Sequence, residues 1–269
     1  MSLLKSAFRS VVPEPIYDAM RRAKQSKMTR GFSSYDVEHT YCGRSLKMHI
    51  ADPVAAEWYD RPWKNVPEID YIQSIDLEGS TIFDIGAHQC LIAMLLGKIT
   101  GETGKVIAVE ANGHNHKVAQ KNFELNNCQN VTCINALVSS GNIAVSVDGG
   151  LNGRARTTRA SEGSNVLTID QMTDRFGAPA LVFLDIEGHE IEALSGAQST
   201  LSETDAHWFI ELHGDELLST YKHKNTDVFK FFDKAKFSAR VLNPEATEFV
   251  DLTPDSLTSE RCHVFFKRL

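Results

Sequence analysis

The chain has 269 residues, 42% hydrophobic and 23% charged, a make-up that excludes disordered, fibrous and membrane-embedded classes and allows one substantial core. Its 28 lysines and arginines against 35 acidic residues give a net charge of -7, which leaves no overall basic footprint for nucleic acid. Cys42, Cys90, Cys128, Cys133 and Cys262 are odd in number and never spaced Cys-x-x-Cys. They form neither a disulfide framework nor a structural zinc pattern, so a reducing, cytoplasmic setting is expected.

No apolar run reaches the length of a bilayer span. Residues 1–34 read as a helical arm. Met1 to Met28 carries Lys5, Arg9, Arg21, Arg22, Lys24 and Lys27 between short apolar pieces, without the apolar stretch and cleavage site of a signal peptide. It is expected to pack on the domain, with peripheral contact to a membrane or a partner as the alternative. Tyr35 to Val54 holds short strands, among them the alternating Ser45–Ile50. Trp58 to Glu68, aromatic and broken by Pro62 and Pro67, reads as a loop leading to a helix over Glu68–Leu77. Residues 1–70 are therefore taken as an N-terminal extension and lid-like segment, and 71–269 as the main domain.

From Thr81 onward strands and helices alternate, the pattern of a parallel sheet covered on both faces. Strands are predicted at 81–85, 105–110, 131–135, 180–186, 206–213, 237–242 and 262–267, the last two as an antiparallel pair at the sheet edge. Helices are predicted at 88–99, 114–127, 189–202 and 226–236. Ala136 to Val147 is extended, with a turn at Ser140-Gly141. A loop rich in glycine and arginine runs from Asp148 to Ser164, before a short strand and helix at 165–176. The arginines Arg154, Arg156 and Arg159 suggest a lid or an anion contact, against the plainer reading of a solvated loop.

In such a sheet the ligand sits beyond the carboxyl ends of the strands, where strand order reverses. Asp84-Ile-Gly-Ala87 ends the first core strand. Gly86 permits a tight turn, but it stands alone: the Gly-x-Gly-x-x-Gly spacing of a pyrophosphate cradle is missing, since His88 and Cys90 supply no glycine. Asp84 repels phosphate and attracts an ammonium or sulfonium. Glu110, at the end of the next strand, can accept both hydroxyls of a ribose. A ligand with a ribose, a positive end and no phosphate fits S-adenosylmethionine. The competing explanation is that both carboxylates cap helices.

Asp185-Ile-Glu-Gly188 follows the strand at 180–184. Alternation points Asp185 and Glu187 to one side, where a carboxylate could take the proton of an attacking alcohol. Glu211 and His213, two residues apart on the next strand, could orient a hydroxyl or share that role.

Together with Val106–Glu110, Asn126-Asn127, Leu167–Asp170, Leu194–Ala197 and Ile210–His213, these motifs resemble the FkbM-type methyltransferases, a branch of the class I S-adenosylmethionine-dependent enzymes. The likeness runs in order from Tyr71 to His213. It implies a doubly wound, Rossmann-like α/β sheet of seven strands, mostly parallel with the last reversed, and methylation of an oxygen, often a sugar or metabolite hydroxyl. It implies that Asp84, Gly86, Ala87, His88, Glu110, Ala111 and Ala136 bind the cofactor and that Asp185, Glu187 and His213 face a small-molecule or saccharide acceptor. Three departures stand out: Cys90 in place of a second glycine, Ala111 in place of a proline, and Phe183 in place of a lysine. Rival readings are a metal-assisted site at Asp185, Glu211 and His213, ranked below a metal-free one, a nicotinamide-dependent oxidoreductase or epimerase, and a non-catalytic module of the same fold.

Overall fold

The computed structural model describes residues 23, 26–64, 66–141, 145–147, 155–157, 165–244, 246–253 and 256–269. Most of the expected N-terminal helical arm, and the Asp148–Ser164 loop apart from 155–157, lie outside the described residues.

Residues 26–30, within the described part of the expected arm, are helical, and a hairpin follows of β1 (Tyr35–Tyr41) and β2 (Arg44–Ile50), paired antiparallel along their whole length. Helix α1 (Pro53–Tyr59) follows, a helix the sequence reading does not predict, running from the end of the expected strand segment into Trp58 and Tyr59 of the expected loop. Its signal was in the sequence: Asp52 accepts from the Val54 and Ala55 amides, both at 2.9 Å, and Pro53 fills the first helical position, where no amide is needed. Helix α2 (Pro67–Gln73) stops one turn short of the expected Leu77.

The central unit runs β3 (Thr81–Ile85), α3 (Leu91–Thr100), β4 (Lys105–Glu110), α4 (Gly113–Asn126) and β5 (Val131–Asn135). Short pairs follow: β6 (Leu137–Val138) with β9 (Val166–Leu167), and β7 (Val145–Val147) with β8 (Ala155–Thr157). Then come α5 (Ile169–Phe176), β10 (Leu181–Leu184), α6 (Glu190–Ser195), α7 (Gln198–Glu203), β11 (His207–Leu212), α8 (Asp215–Leu218), β12 (Phe237–Leu242), β13 (Val250–Asp251) and β14 (Cys262–Arg268).

The main sheet has the order β13-β12-β14-β11-β10-β3-β4-β5. Strands β11, β10, β3, β4 and β5 are parallel, and β14 runs antiparallel between β11 and β12. The doubly wound, mostly parallel α/β architecture is the expected one. The two-residue β13 adds an eighth strand at the edge, and β14 lies inside the sheet rather than at its rim. The predicted helix over 189–202 is two helices. The break falls at Gly196, where only a glycine fits because a Cβ would lie 2.5 Å from the Ser139 carbonyl oxygen, and Asp170 caps the second piece by accepting from the Ser199 and Thr200 amides. The stretch expected as helix 226–236 is a 3-10 helix, Asn225–Lys230.

Alternation along the buried strands divides the core in two. Ile82, Val106, Ala108, Leu181, Phe183 and Phe209 face α3 and the hairpin, packing with Tyr41, Met48 and Leu95. Phe83, Ile85, Ile107, Val182, Leu184 and Trp208 face the opposite layer. Each such side chain contributes roughly 1.5–3 kcal/mol by leaving water. Strand order reverses between β3 and β10, so the site forms where their carboxyl ends part. Among the described residues no helix is long and apolar enough to cross a membrane.

Candidate active site

The turn after β3 fixes the site. Gly86 has φ +92°, and a Cβ on it would sit 1.7 Å from the Asp185 carbonyl oxygen, so no side chain fits. The Gly86 and Ala87 amides both donate to the Val109 carbonyl, at 2.9 and 3.1 Å, while the Asp185 amide donates to the Ile85 carbonyl at 2.9 Å. Three strand ends are thereby tied edge to edge. His88 and Cys90 are also left-handed, with φ of 49° and 64°. Such a conformation costs a non-glycine residue roughly 1–2 kcal/mol, so Cys90 occupies a backbone geometry that a glycine takes freely. Its buried thiol hydrogen-bonds Cys133 and lines neither of the cavities described below.

Glu110 is buried at the end of β4. Its Oε2 accepts from the His88 amide at 2.8 Å and its Oε1 from the Asn112 amide at 2.6 Å. Burial pushes its pKa up to about 8, against hydrogen bonds from Asn112, His88 and Asn115 that favour the charged form. Asp84 is buried beneath α3, and burial lifts it to about 7, opposed by a bond from the Ala93 amide. His88 binds the Tyr59 hydroxyl through Nδ1 at 2.7 Å, and burial lowers its pKa to about 4, so its ring is neutral.

On the other side of the reversal, β10 ends at Leu184, earlier than expected. Glu187 has φ +56° and Gly188 φ +95°, so the chain turns sharply there. Strand alternation therefore does not place Asp185 and Glu187; the turn does. His213 Nδ1 binds Glu190 Oε1 at 2.9 Å, and its Nε2 lies 3.8 Å from Glu187 Oε2 and 3.9 Å from Glu211 Oε1. Glu190 is fully buried and also accepts from the Gly188 amide at 2.9 Å. Burial lowers the pKa of His213, but the hydrogen bond and charge of Glu190, with Glu211 and Glu187, outweigh it and raise the net value.

Glu211 touches Arg261 and lies 3.3 Å from His263 Nε2. Burial would raise its pKa, yet His263, Arg261 and His213 bring it down to about 2. Asp185, hydrogen-bonded to Glu211, is pushed well up by burial and then by that neighbour's charge. Two carboxyl groups this close favour keeping one proton between them.

Two adjoining cavities meet at Trp58, Gly86, His88, Asp185 and Glu187. The first continues to Glu110, Ala111, Ala136 and His189 between apolar walls of Ile85, Val109 and Ile186. The second holds Asp84, Ala87, Glu211, His213, Arg261 and His263, with Tyr59, Trp63, Phe183 and Phe209 as aromatic walls. Of the seven residues expected at the cofactor, Gly86, His88, Glu110, Ala111 and Ala136 line the first cavity, and Asp84 and Ala87 line only the second. Asp185, Glu187 and His213 all border the second. Phe183, where a lysine was expected, stacks on Phe209 with centroids 4.6 Å apart. Glu190, Arg261 and His263 were missed. Glu190 lies two residues past the Asp185–Gly188 motif, whereas Arg261, just before β14, and His263, within it, come some 50 residues after Glu211 in sequence, and no local pattern connects them to the site.

Residues 84–238 match the model of the FkbM methyltransferase domain. Among solved structures, a methyltransferase FkbM from Methylobacillus flagellatus KT is 18% identical with a TM-score of 0.48, the match covering 75% of this chain and 48% of that one. A protein of Streptococcus mutans in complex with SAH is 11% identical with a TM-score of 0.46, covering 76% and 99%. An rRNA methylase from Streptococcus thermophilus is 12% identical with a TM-score of 0.46, covering 76% and 98%. Among curated proteins none matches the chain.

Proposed function

We propose, from the premise that this chain belongs to the FkbM methyltransferase family and is an S-adenosylmethionine-dependent methyltransferase, that it methylates a hydroxyl oxygen of a sugar or other small molecule. The observation that carries this reading is the pair of cavities joined at Gly86, Asp185 and Glu187, one ending in Glu110 and the other walled by aromatic rings.

The first cavity suits the cofactor. His88 Nε2 and His189 Nδ1 are buried nitrogens of lining residues with no hydrogen-bond partner among the described residues, and an adenosine offers groups to satisfy them. Glu110 already accepts from the His88 and Asn112 amides and the Asn115 side chain, which leaves it one acceptor site for a ribose hydroxyl. The apolar walls suit adenine, and Asp84 adds a carboxyl near the methionine end. When bound, S-adenosylmethionine supplies an electrophilic methyl group on a sulfonium.

The chain's own residues then hold the acceptor in line, which provides most of the rate. Trp58 and Phe183, the latter backed by Phe209, offer faces on which a sugar or aromatic ring can pack. Asp185, Glu187 and His213 orient the hydroxyl, and Glu187 is placed to receive its proton. The test is methyl transfer to a panel of hydroxylated acceptors, followed by mass spectrometry of the product. Asp185→Asn is expected to lower turnover by about 10²–10⁴-fold with cofactor affinity little changed. Methylation confined to nitrogen or carbon, or full turnover in that variant, would overturn the reading.

A further inference from the structure

We infer that Asp185, Glu211 and His213 form a binding site for one small divalent cation at the floor of the second cavity. Asp185 follows β10 and Glu211 and His213 belong to the end of β11, two parallel strands in register through Leu184 and Ile210. One ligand atom from each of the three lies within 4.8 Å of the others, a separation that a single ion can bridge at ligand distances of roughly 2.0–2.6 Å. Three donors of this kind leave open positions for water or a substrate oxygen.

The second observation is how His213 is held. Where the Glu190 carboxylate accepts across the 2.9 Å contact, a ring proton sits on Nδ1, and in the neutral ring that binding a cation requires the Nε2 lone pair faces the cluster. A buried carboxylate behind a histidine is the support that orients metal-binding imidazoles, and Glu190 is fully buried. Nε2 then stands 3.8 Å from Glu187 Oε2 and 3.9 Å from Glu211 Oε1, both too far for hydrogen bonds. The space between them has the dimensions of an ion's place.

The third observation is charge. Asp185, Glu187, Glu190 and Glu211 converge here, and Glu211 is 5% exposed. Arg261 touches Glu211, but its side chain is 62% exposed, so water shares its charge. The Arg261 contact is made through Glu211 Oε1, so a cation in the cluster competes with the guanidinium for that oxygen. A cation inside the cluster meets this excess. Two carboxylates and one imidazole suit Mn²⁺ or a similar ion over soft, thiolate-seeking metals. With the ion in place, His213 is a ligand rather than a base. The ion holds the acceptor's hydroxyl oxygen and makes its proton easier to lose, and Glu187, beside the cluster, is the nearby carboxylate left to take it. That catalytic use rests on the O-methylation reading; the metal site itself does not.

The experiment follows Mn²⁺ binding to the chelator-treated full chain by electron paramagnetic resonance, without cofactor or acceptor. One saturable site is expected with a Kd below about 1 mM, weakened at least about tenfold in Asp185→Asn and in Glu211→Gln, with far-ultraviolet circular dichroism showing that each variant is folded. Arg261→Gln, an exposed change, removes a competing cation and is expected to tighten binding. No saturable binding by the folded wild type, equal binding in folded Asp185→Asn, or weaker binding in Arg261→Gln overturns the site. If Mn²⁺ binds as expected but no acceptor is methylated on oxygen, the metal site stands and the O-methylation reading fails.

Discussion

Gly86→Ala puts the site's geometry under direct strain. The added methyl would lie 1.7 Å from the Asp185 carbonyl oxygen, 2.7 Å from its carbon and 2.9 Å from Ile186 Cγ2. Two of those atoms are backbone, and the Asp185 amide is bonded to Ile85, so the strand end cannot retreat without breaking that link. The left-handed backbone costs about 1–2 kcal/mol for an L residue, forced repacking about 1–3 kcal/mol, and a lost hydrogen bond about 0.5–1.5 kcal/mol. Together these predict a loss of roughly 3–6 kcal/mol, or a Tm lower by roughly 10 °C or more for a chain of this size. Thermal unfolding by circular dichroism measures it, with S-adenosylhomocysteine binding as the parallel readout. Because Gly86 borders both cavities, binding should fall as well. A Tm within about 2 °C of wild type, with binding retained, would refute the close approach of β3 and β10.

Two further predictions concern buried carboxyl groups. With Glu110 near pKa 8, the form that accepts ribose hydroxyls grows as pH rises. Affinity for 5′-methylthioadenosine, which carries no titrating amino-acid end, should therefore increase about tenfold from pH 7 to pH 9. Glu110→Gln should bind weakly with no such slope, and a flat wild-type profile would count against the assignment. Asp84, raised by burial from 3.8 to about 7, keeps its proton in the folded state after the unfolded chain has lost it. Its contribution is complete below the unfolded pKa and disappears as pH rises through 7, by at most about 4 kcal/mol. Urea unfolding at pH 5 and pH 8 should show wild type losing more stability than Asp84→Asn. Parallel losses would mean that Asp84 is not held neutral.

The sheet was legible because its strands are short, apolar and separated by helical periods, and because motifs at strand ends mark a reversal of strand order. The β3 turn could be read from Gly86 alone, and Cys90 could be singled out as a departure. That Cys90 keeps a left-handed backbone while its thiol turns to Cys133 is a matter of packing that spacing does not encode. Helix α1 was missed although Asp52-Pro53 announces it, since the aromatic, proline-rich residues that follow suggested a loop. The split between α6 and α7 depends on the Ser139 carbonyl and on Asp170, both distant in sequence. At the site, local motifs supplied Asp185, Glu187, Glu211 and His213. They placed Asp185 and Glu187 by strand alternation, where the structure uses a left-handed turn. His263 enters from β14 and Arg261 from the residue just before it, and β14 pairs with β11 only after the chain has returned to the sheet, so their part in the electrostatics of Glu211 is a property of the tertiary fold.

The most direct test of the account is calorimetric titration of the wild-type chain with S-adenosylmethionine, S-adenosylhomocysteine and NAD. The Glu110 site, with no pyrophosphate cradle beside Gly86, predicts saturable one-to-one binding of both adenosyl ligands, no binding of NAD, and loss of adenosyl binding in Glu110→Ala. Binding of NAD with none of S-adenosylmethionine or S-adenosylhomocysteine would contradict it.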